Sequence, residues 1–385
     1  MPDPFSATRC AHIAVVGAGW WSQGWHLPHL SRNYHAQITA IVEPCEAPRS
    51  TLNPDLKTTE ELQKLYAVPV FKTFDEFLAS PEAEQTDGVI IATTHSAHYE
   101  VGMKAIGRFH VLMEKPMTTD LAEADWLAQA ASKSDHIFML NNTANFRDST
   151  EKVHNMVKSP CLKPVGMLGY MAAALLWLFE DPENVGWIKP TGSMQGNGFG
   201  LGQMSHALAW LYFVTDLEPE KVCCSMLHSE KTGADITDIA IVHCAGNAIM
   251  SIHGTASMPF KSYFESTKHI HMKIFGSGGV LSYGGEDQHP ESGGLRLELF
   301  DGTDQHLPGF YFENYQAEGD GPESLQVFLS GCTGTKILNA ADAMIGRKVV
   351  ATLDAMYKSA KTGQFEVIKP FETANEIDYT IYLFD

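Results

Sequence analysis

The chain has 385 residues, enough for two domains, and its 44% hydrophobic and 19% charged composition excludes an intrinsically disordered protein. Its 46 acidic against 27 basic side chains give a formal charge of −19, which repels phosphate backbones and anionic lipid and so argues against nucleic-acid and membrane partners. No apolar run approaches the length that spans a bilayer, Met1 to Cys10 has no leader-like stretch, and the 7 cysteines form no C-x-x-C pair; a reducing cytoplasm is the expected location.

From Ala11 to Asn145, short apolar runs alternate with helical stretches. Ile13 to Val16, Ile38 to Val42, Gly88 to Ala92, His110 to Met113 and Ile137 to Leu140 are too short for helices and are bounded by turn residues, so they read as buried strands. Glu60 to Tyr66, Phe74 to Ala79, Tyr99 to Ile106 and Leu121 to Lys133 have apolar residues at helical spacing between them. Strands joined by helical crossovers run parallel, which makes residues 1–145 a doubly wound α/β domain. Residues 146–385 have a different texture. Val222 to Leu227, Ile239 to Cys244, Ala248 to Gly254 and His269 to Phe275 follow one another with little helix, as in an α+β domain with an open, largely antiparallel sheet. The adjacent Cys223 and Cys224 then point to opposite faces of a strand. Gly284 to Gly321, rich in Gly, Asp, Glu and Pro, reads as a loop excursion, and Ala340 to Thr362 as one amphipathic helix closed by Gly363, packing near the first domain.

The first strand runs into Gly17-Ala18-Gly19-Trp20-Trp21-Ser22, two glycines of a dinucleotide fingerprint with serine in place of the third. Such a turn brings backbone N–H groups and the start of a helix to a pyrophosphate. Glu43 ends the second strand, where an acidic side chain can accept the adenosine ribose hydroxyls and repel a 2′-phosphate; NAD is therefore expected over NADP. Glu114-Lys115-Pro116 follows the strand His110 to Met113 and so lies at the carboxyl edge of the sheet, where ligands bind in this architecture. Lys115 is a candidate proton donor or acceptor for a substrate hydroxyl if burial or a neighbouring positive charge lowers its proton affinity.

These motifs, with the strand ending Thr93-Thr94-His95 and His98 beyond it, together resemble the glucose-fructose oxidoreductase, inositol dehydrogenase and MocA family. The resemblance continues through Gly196-Asn197-Gly198-Phe199-Gly200-Leu201-Gly202-Gln203-Met204-Ser205-His206, similar to that family's glycine-rich approach to a histidine-bearing helix, and through Ala355 to Gly363, similar to its closing helix. It implies a Rossmann domain, an open-faced second domain, and hydride exchange between a nicotinamide and a carbohydrate- or polyol-like alcohol or ketone. Lys115 and His206 would be catalytic. The cofactor would lie against Gly17, Gly19, Trp20, Trp21, Glu43, Thr93, Thr94, His98, Glu114 and Lys115, and Gln203, Trp25, Asn145 and Trp187 are the candidate substrate contacts, with Trp177 of the same kind. A homo-oligomer, dimer or tetramer, is the implied assembly.

Three departures point to a divergent subfamily. Gly202 stands where the family usually has aspartate, Thr94 where proline is common, and Gly19 to His26 is one residue longer than usual. Two other functions are considered: a glycosidase that retains NAD and works by oxidation and elimination, and a non-catalytic dinucleotide sensor. No metal site is expected, since His269-x-His271 lacks an obvious third ligand.

Overall fold

The structure, a computed structural model, describes residues 9–158, 162–259, 268–286, 289, 291–310 and 319–372. Cys161 and parts of the 284–321 segment lie outside the described residues. The first strands are β1 (Ala11–Val16), β2 (Ala36–Val42), β3 (Val70–Phe71), β4 (Gly88–Ile91), β5 (His110–Met113) and β6 (Phe138–Leu140). They form one parallel sheet in the order β3-β2-β1-β4-β5-β6. The order reverses between β1 and β4, the crevice in which this fold binds ligands. Val15, Val89, Ile90, Val111 and Leu112 are buried because helices cover both faces, which is why these runs show no polar alternation. The two-residue β3 is too short to display a period and was not expected.

The helices start where capping chemistry places them. Thr58 and Glu61 form a capping box ahead of Thr59–Tyr66, and the Asp120 carboxylate accepts from Ala122 and Glu123 N–H ahead of Leu121–Lys133.

The second sheet contains β7 (Pro164–Ala173), β8 (Pro219–His228), β9 (Asp235–Cys244), β10 (Ile249–Thr255), β11 (Lys268–Gly276), β12 (Gly279–Glu286), β13 (Gly293–Leu299), β14 (Asp304–Phe310) and β15 (Glu366–Val367). Its order is β14-β13-β12-β11-β7-β10-β9-β8-β15, antiparallel throughout except for the β7–β10 pair. Helices Asp148–Lys158, Ser205–Thr215 and Ala343–Thr362 pack on one face. On the other, Leu168, Ile239, Ile241, Ile249 and Phe275 share a side by register and are 41–48% exposed. Cys224 is buried and Cys223 half-buried on β8, as strand alternation requires.

The loop expected over Gly284 to Gly321 is corrected: it carries the end of β12 and all of β13 and β14. Leu295 and Leu297 are buried and alternate with Arg296 and Glu298, the period of a one-sided strand, while the Gly and Asp residues mark the turns between strands. The long helix begins at Ala343 rather than Ala340. Asp342 caps it by accepting from Ile345 N–H, and Ala340 and Ala341 before it form a turn whose Ala341 carbonyl accepts from Leu140 N–H of β6. Gly363, at φ 67, ends the helix as expected. Helix Glu323–Cys332 returns to the first sheet, where Leu325, Phe328 and Leu329 complete a core with Ile13, Val15 and Leu112.

Candidate active site

Gly17 follows β1 at φ 92, and a Cβ there would fall 2.6 Å from the Ala92 carbonyl oxygen after β4. Only glycine suits both the left-handed backbone and this close approach. Nothing lies within 4 Å of a Cβ built on Gly19, so that side of the turn is open to a ligand. Glu43 is 9% exposed and grips the turn: one carboxylate oxygen accepts from Ala18 N–H at 2.7 Å and the other from Cys45 N–H at 2.9 Å. Each oxygen keeps acceptor capacity for a ribose hydroxyl.

The extra residue between Gly19 and His26 has a structural counterpart, since Ser22–His26 is a π turn. One added residue widens a helix locally into that form. Trp21 stacks on Trp25 with ring centres 5.2 Å apart, and Trp20 meets Trp21 edge-on at 5.1 Å. The turn delivers two donors to one atom: Trp21 Nε1 at 2.8 Å and His26 Nε2 at 2.9 Å both reach Glu114 Oε1, which also accepts from Asn141 Nδ2 after β6 at 2.7 Å. Burial alone would raise the Glu114 pKa. The His26 hydrogen bond and charge, with Asn141 and Lys115, outweigh it and hold the carboxyl at about 2. Glu114 is therefore an anionic hub joining the first helix, β5 and β6.

Lys115 begins the Lys115–Pro116 peptide, which is cis. Its Nζ donates to the Gly202 carbonyl at 2.9 Å and lies 5.2 Å from the centre of the Trp187 ring on helix Val185–Ile188. Burial lowers the lysine to about 8, with Glu114 acting to raise it and Lys268 to lower it further. Gly202 belongs to a second π turn, Gly200–Met204, which leads into helix Ser205–Thr215. A Cβ on Gly202 would stand 3.3 Å from Phe179 and 3.4 Å from Trp187, so the indole occupies the room that an aspartate side chain would need. His206, half-buried, lies four residues past Gly202, in the first turn of helix Ser205–Thr215. The Gln203 Oε1 is buried with no partner among the described residues.

Thr93, whose hydroxyl donates to the Thr94 carbonyl, and exposed Thr94 follow β4. His98 is fully buried, and because a carbonyl only accepts, its Nδ1 must donate to the Pro116 carbonyl, 2.8 Å away; Nε2 is then an unprotonated acceptor with no partner among the described residues. Burial lowers His98 and, together with His98 and Lys115, takes His95 to about 3, so both rings are neutral. His95 meets Trp187 edge-on at 5.3 Å.

The structure thus brings Lys115 to Trp187 and to the Gly202 carbonyl, with Gln203 next in sequence and His206 four residues on, while Gly17, Gly19, Glu43 and Thr93 stand at the strand ends around the sheet crevice. It does not bring Asn145 there: Asn145 Nδ2 ties the Ala209 and Ala340 carbonyls together in the interior, a brace between helix and strand edge. Trp177 donates to Ala174 O within its own turn. Trp21 and Trp25 are engaged with Glu114 and with each other's rings, and Glu114 itself with its three donors. His26, Asn141 and His95 are the members not singled out from sequence. His26 was legible only as the end of the lengthened segment, and Asn141 only as the residue after β6. Among the described residues no cluster of His, Cys, Asp or Glu is suited to a metal ion, and no helix is long and apolar enough to cross a membrane.

An open glycine turn at the sheet reversal, ahead of a helix and under an acidic strand end, defines a dinucleotide-binding α/β protein, and its open side at Gly19 fits that ligand. Residues 11–142, about a third of the chain, match the model of the GFO_IDH_MocA oxidoreductase family, NAD-binding Rossmann fold. Over 122 residues it is 26% identical to glucose-6-phosphate 3-dehydrogenase of Bacillus subtilis (strain 168), a match spanning 31% of this chain and 30% of that relative's length. Levoglucosan dehydrogenase, solved with NADH and levoglucosan, superposes with a TM-score of 0.71 at 14% identity, covering 94% of this chain and 100% of that one. Aldose-aldose oxidoreductase from Caulobacter crescentus, complexed with glycerol, gives 0.69 at 17% identity over 93% and 100%. These structural likenesses establish a shared two-part fold.

Proposed function

We propose that the protein is an NAD-dependent dehydrogenase or reductase that exchanges a hydride between the nicotinamide and a carbohydrate- or polyol-like alcohol or its ketone. The observation that carries this reading is Lys115: an amine brought to about 8 by burial, at the carboxyl edge of the sheet, contacted by a backbone carbonyl and an aromatic face. A group titrating there is neutral often enough to accept a hydroxyl proton and charged often enough to return one. The dinucleotide, when bound, supplies the hydride acceptor or donor.

Each remaining part is assigned to this chain's own groups. Lys115 Nζ accepts the proton of the reacting hydroxyl as hydride leaves the carbinol carbon, and returns it in the reverse direction. His206 hydrogen-bonds the same oxygen. Gln203 Oε1, a buried acceptor without a partner among the described residues, takes a hydrogen bond from a neighbouring substrate hydroxyl. Trp187 offers its ring to the C–H face of the sugar. Glu43 selects NAD, because its carboxylate would oppose a 2′-phosphate. The apolar open face of the second sheet supports a homo-oligomer, and the free cysteines support a reducing compartment.

The test is a panel of glucose, glucose 6-phosphate, levoglucosan, myo-inositol and glycerol with NAD or NADP, read for reduced cofactor and for glycoside cleavage. Substrate-dependent NADH is expected, and NAD is expected to outperform NADP. Turnover unchanged in Lys115→Ala would remove Lys115 from the chemistry. Cofactor binding without turnover of any member, or cleavage without net NADH, would replace the dehydrogenase reading by the sensor or the glycosidase.

A further inference from the structure

Behind the second π turn lies a buried acidic pair that the reaction as described does not use. Asp235 and Asp238 on β9 are 1% and 0% exposed. Asp235 Oδ2 accepts from Gly200 N–H at 2.6 Å, and its Oδ1 accepts from the Tyr357 hydroxyl at 2.9 Å. The Tyr357 oxygen in turn accepts from Leu201 N–H at 3.1 Å. Two consecutive N–H groups of the turn are therefore fixed by one carboxylate, one directly and one through a tyrosine on helix Ala343–Thr362. The contact is tight: a Cβ on Gly198 would fall 2.4 Å from the Asp235 carbonyl oxygen, and one on Gly196 would fall 2.2 Å from the Tyr357 ring. The glycine-rich approach is glycine-rich because β9 and this helix press on its backbone.

Burial pushes both acids up. The Gly200 and Tyr357 donors oppose that for Asp235, whereas Asp238 is pushed well above the usual carboxylate range by burial and by Asp235. A buried anion is costly to keep, and its retention makes sense where it specifies a geometry. The geometry in question is the direction of the Gly202 carbonyl, two residues beyond Gly200.

We propose that Asp235 is a positioning residue: through Gly200 N–H directly and Leu201 N–H by way of Tyr357, it sets the π turn so that the Gly202 carbonyl takes the hydrogen bond of the Lys115 ammonium. This rests on Lys115 as the proton-transfer group. A carbonyl that accepts from an ammonium favours its charged form, so loss of the alignment lowers the lysine's proton affinity. The titratable groups facing Lys115 are Glu114 just after β5, Lys268 on β11 and His95 beyond β4; those facing Asp235 are Asp238 on its own strand, Tyr357 on the long helix and Cys224 on β8. Asp235→Asn removes a charge that raises Asp238, Tyr357 and Cys224, and leaves the groups facing Lys115 in place.

The experiment needs neither substrate nor cofactor. Lys115 is titrated in the free protein by pulsed acetic anhydride labelling across neutral to alkaline pH, with the Lys115 peptide quantified by mass spectrometry. Amide hydrogen exchange of the peptide containing residues 199–204 is followed in parallel. Asp235→Asn, close to isosteric, is expected to lower the labelling midpoint by roughly half a pH unit and to speed exchange at Gly200 and Leu201. Tyr357→Phe, which keeps the ring and loses only the hydroxyl, is expected to act in the same direction by less and serves if Asp235→Asn does not fold. Asp238→Asn, equivalent in shape to the protonated acid, is expected to leave both readouts as in wild type. Faster exchange with an unmoved midpoint would make Asp235 merely structural and overturn the inference, as would an Asp238→Asn shift equal to that of Asp235→Asn. If Lys115→Ala retains turnover, the catalytic reading fails whatever Asp235 does; if Lys115→Ala is inactive and the midpoint does not move, only this inference fails.

Discussion

The two π turns, Ser22–His26 and Gly200–Met204, stand on either side of the Glu114–Lys115 pair, and they are anchored by different chemistry. The first sends side chains, Trp21 and His26, to a buried carboxylate that also holds Asn141. The second sends a backbone carbonyl, that of Gly202, to the neighbouring ammonium, and is itself held from behind by Asp235. The Rossmann side is thus fixed by a charged hub whose members have identities, whereas the second domain is fixed through main-chain atoms that any residue possesses. Where the family usually carries an aspartate, this chain has an acceptor without a side chain and an indole in the vacated room. The lysine keeps an oxygen partner there without a formal negative charge, and burial outweighs the neighbouring Glu114 in lowering its proton affinity.

The largest expected effect tests what both turns serve. Lys115→Ala should lower kcat by ~10²–10⁴-fold, with cofactor binding, read by tryptophan fluorescence, little changed.

Glu114→Ala breaks the side-chain anchor and strands three donors, Trp21 and His26 of the first turn and Asn141 after β6. It should cost ~3–5 kcal/mol in denaturant unfolding, against little for changes at exposed acids. The sign with pH follows from the depressed carboxyl. Its contribution is present above its ordinary value of 4.5 and is lost as pH falls toward about 2, so the gap between wild type and variant should narrow across that window. A constant gap would mean that packing, not charge, holds the first turn.

Gly202→Asp probes the backbone anchor. With Phe179 and Trp187 at 3.3 and 3.4 Å from the new Cβ, it should displace the indole and lower kcat by ~10-fold, and Gly202→Asp combined with Trp187→Ala should recover part of that loss. Equal activity of Gly202→Asp and wild type would show that the indole yields freely. Glu43→Ala, on the Rossmann side alone, should narrow the preference for NAD over NADP by about 10-fold, measured as the ratio of kcat/KM values. The smallest effect is a control that touches neither turn: Asp120→Ala removes the cap of Leu121–Lys133 and should cost ~1 kcal/mol in a thermal melt with the Lys115 titration unchanged.

The contrast between the turns also explains what could be read from the sequence. Parallel strands buried on both faces leave unbroken apolar runs, and the helices between them leave apolar residues at helical spacing, so most of the first domain was legible, whereas the caps at Thr58 and Asp120 came only with the structure. The lengthened Gly19 to His26 segment was visible as an irregularity, and only the coordinates turn it into a π turn aimed at Glu114. The second half was harder because its partners are distant in sequence: Tyr357 reaches Asp235, and Asn145 reaches Ala340. Asn145 looked like a substrate contact because a buried amide and a binding amide have the same letter. The strands within 284–321 were obscured by their turns, whose glycines and acids outnumber the alternating leucines of β13.

The most direct measurement is a crystal structure of the protein with NAD bound. The pyrophosphate is expected on the open side of the Gly17–Gly19 turn and the nicotinamide ring beside Lys115, with C4 facing the space bordered by Trp187, Gln203 and His206. A nicotinamide directed away from Lys115, or a lysine withdrawn from both the ring and the Gly202 carbonyl, would contradict the assignment of Lys115 as the proton-transfer group.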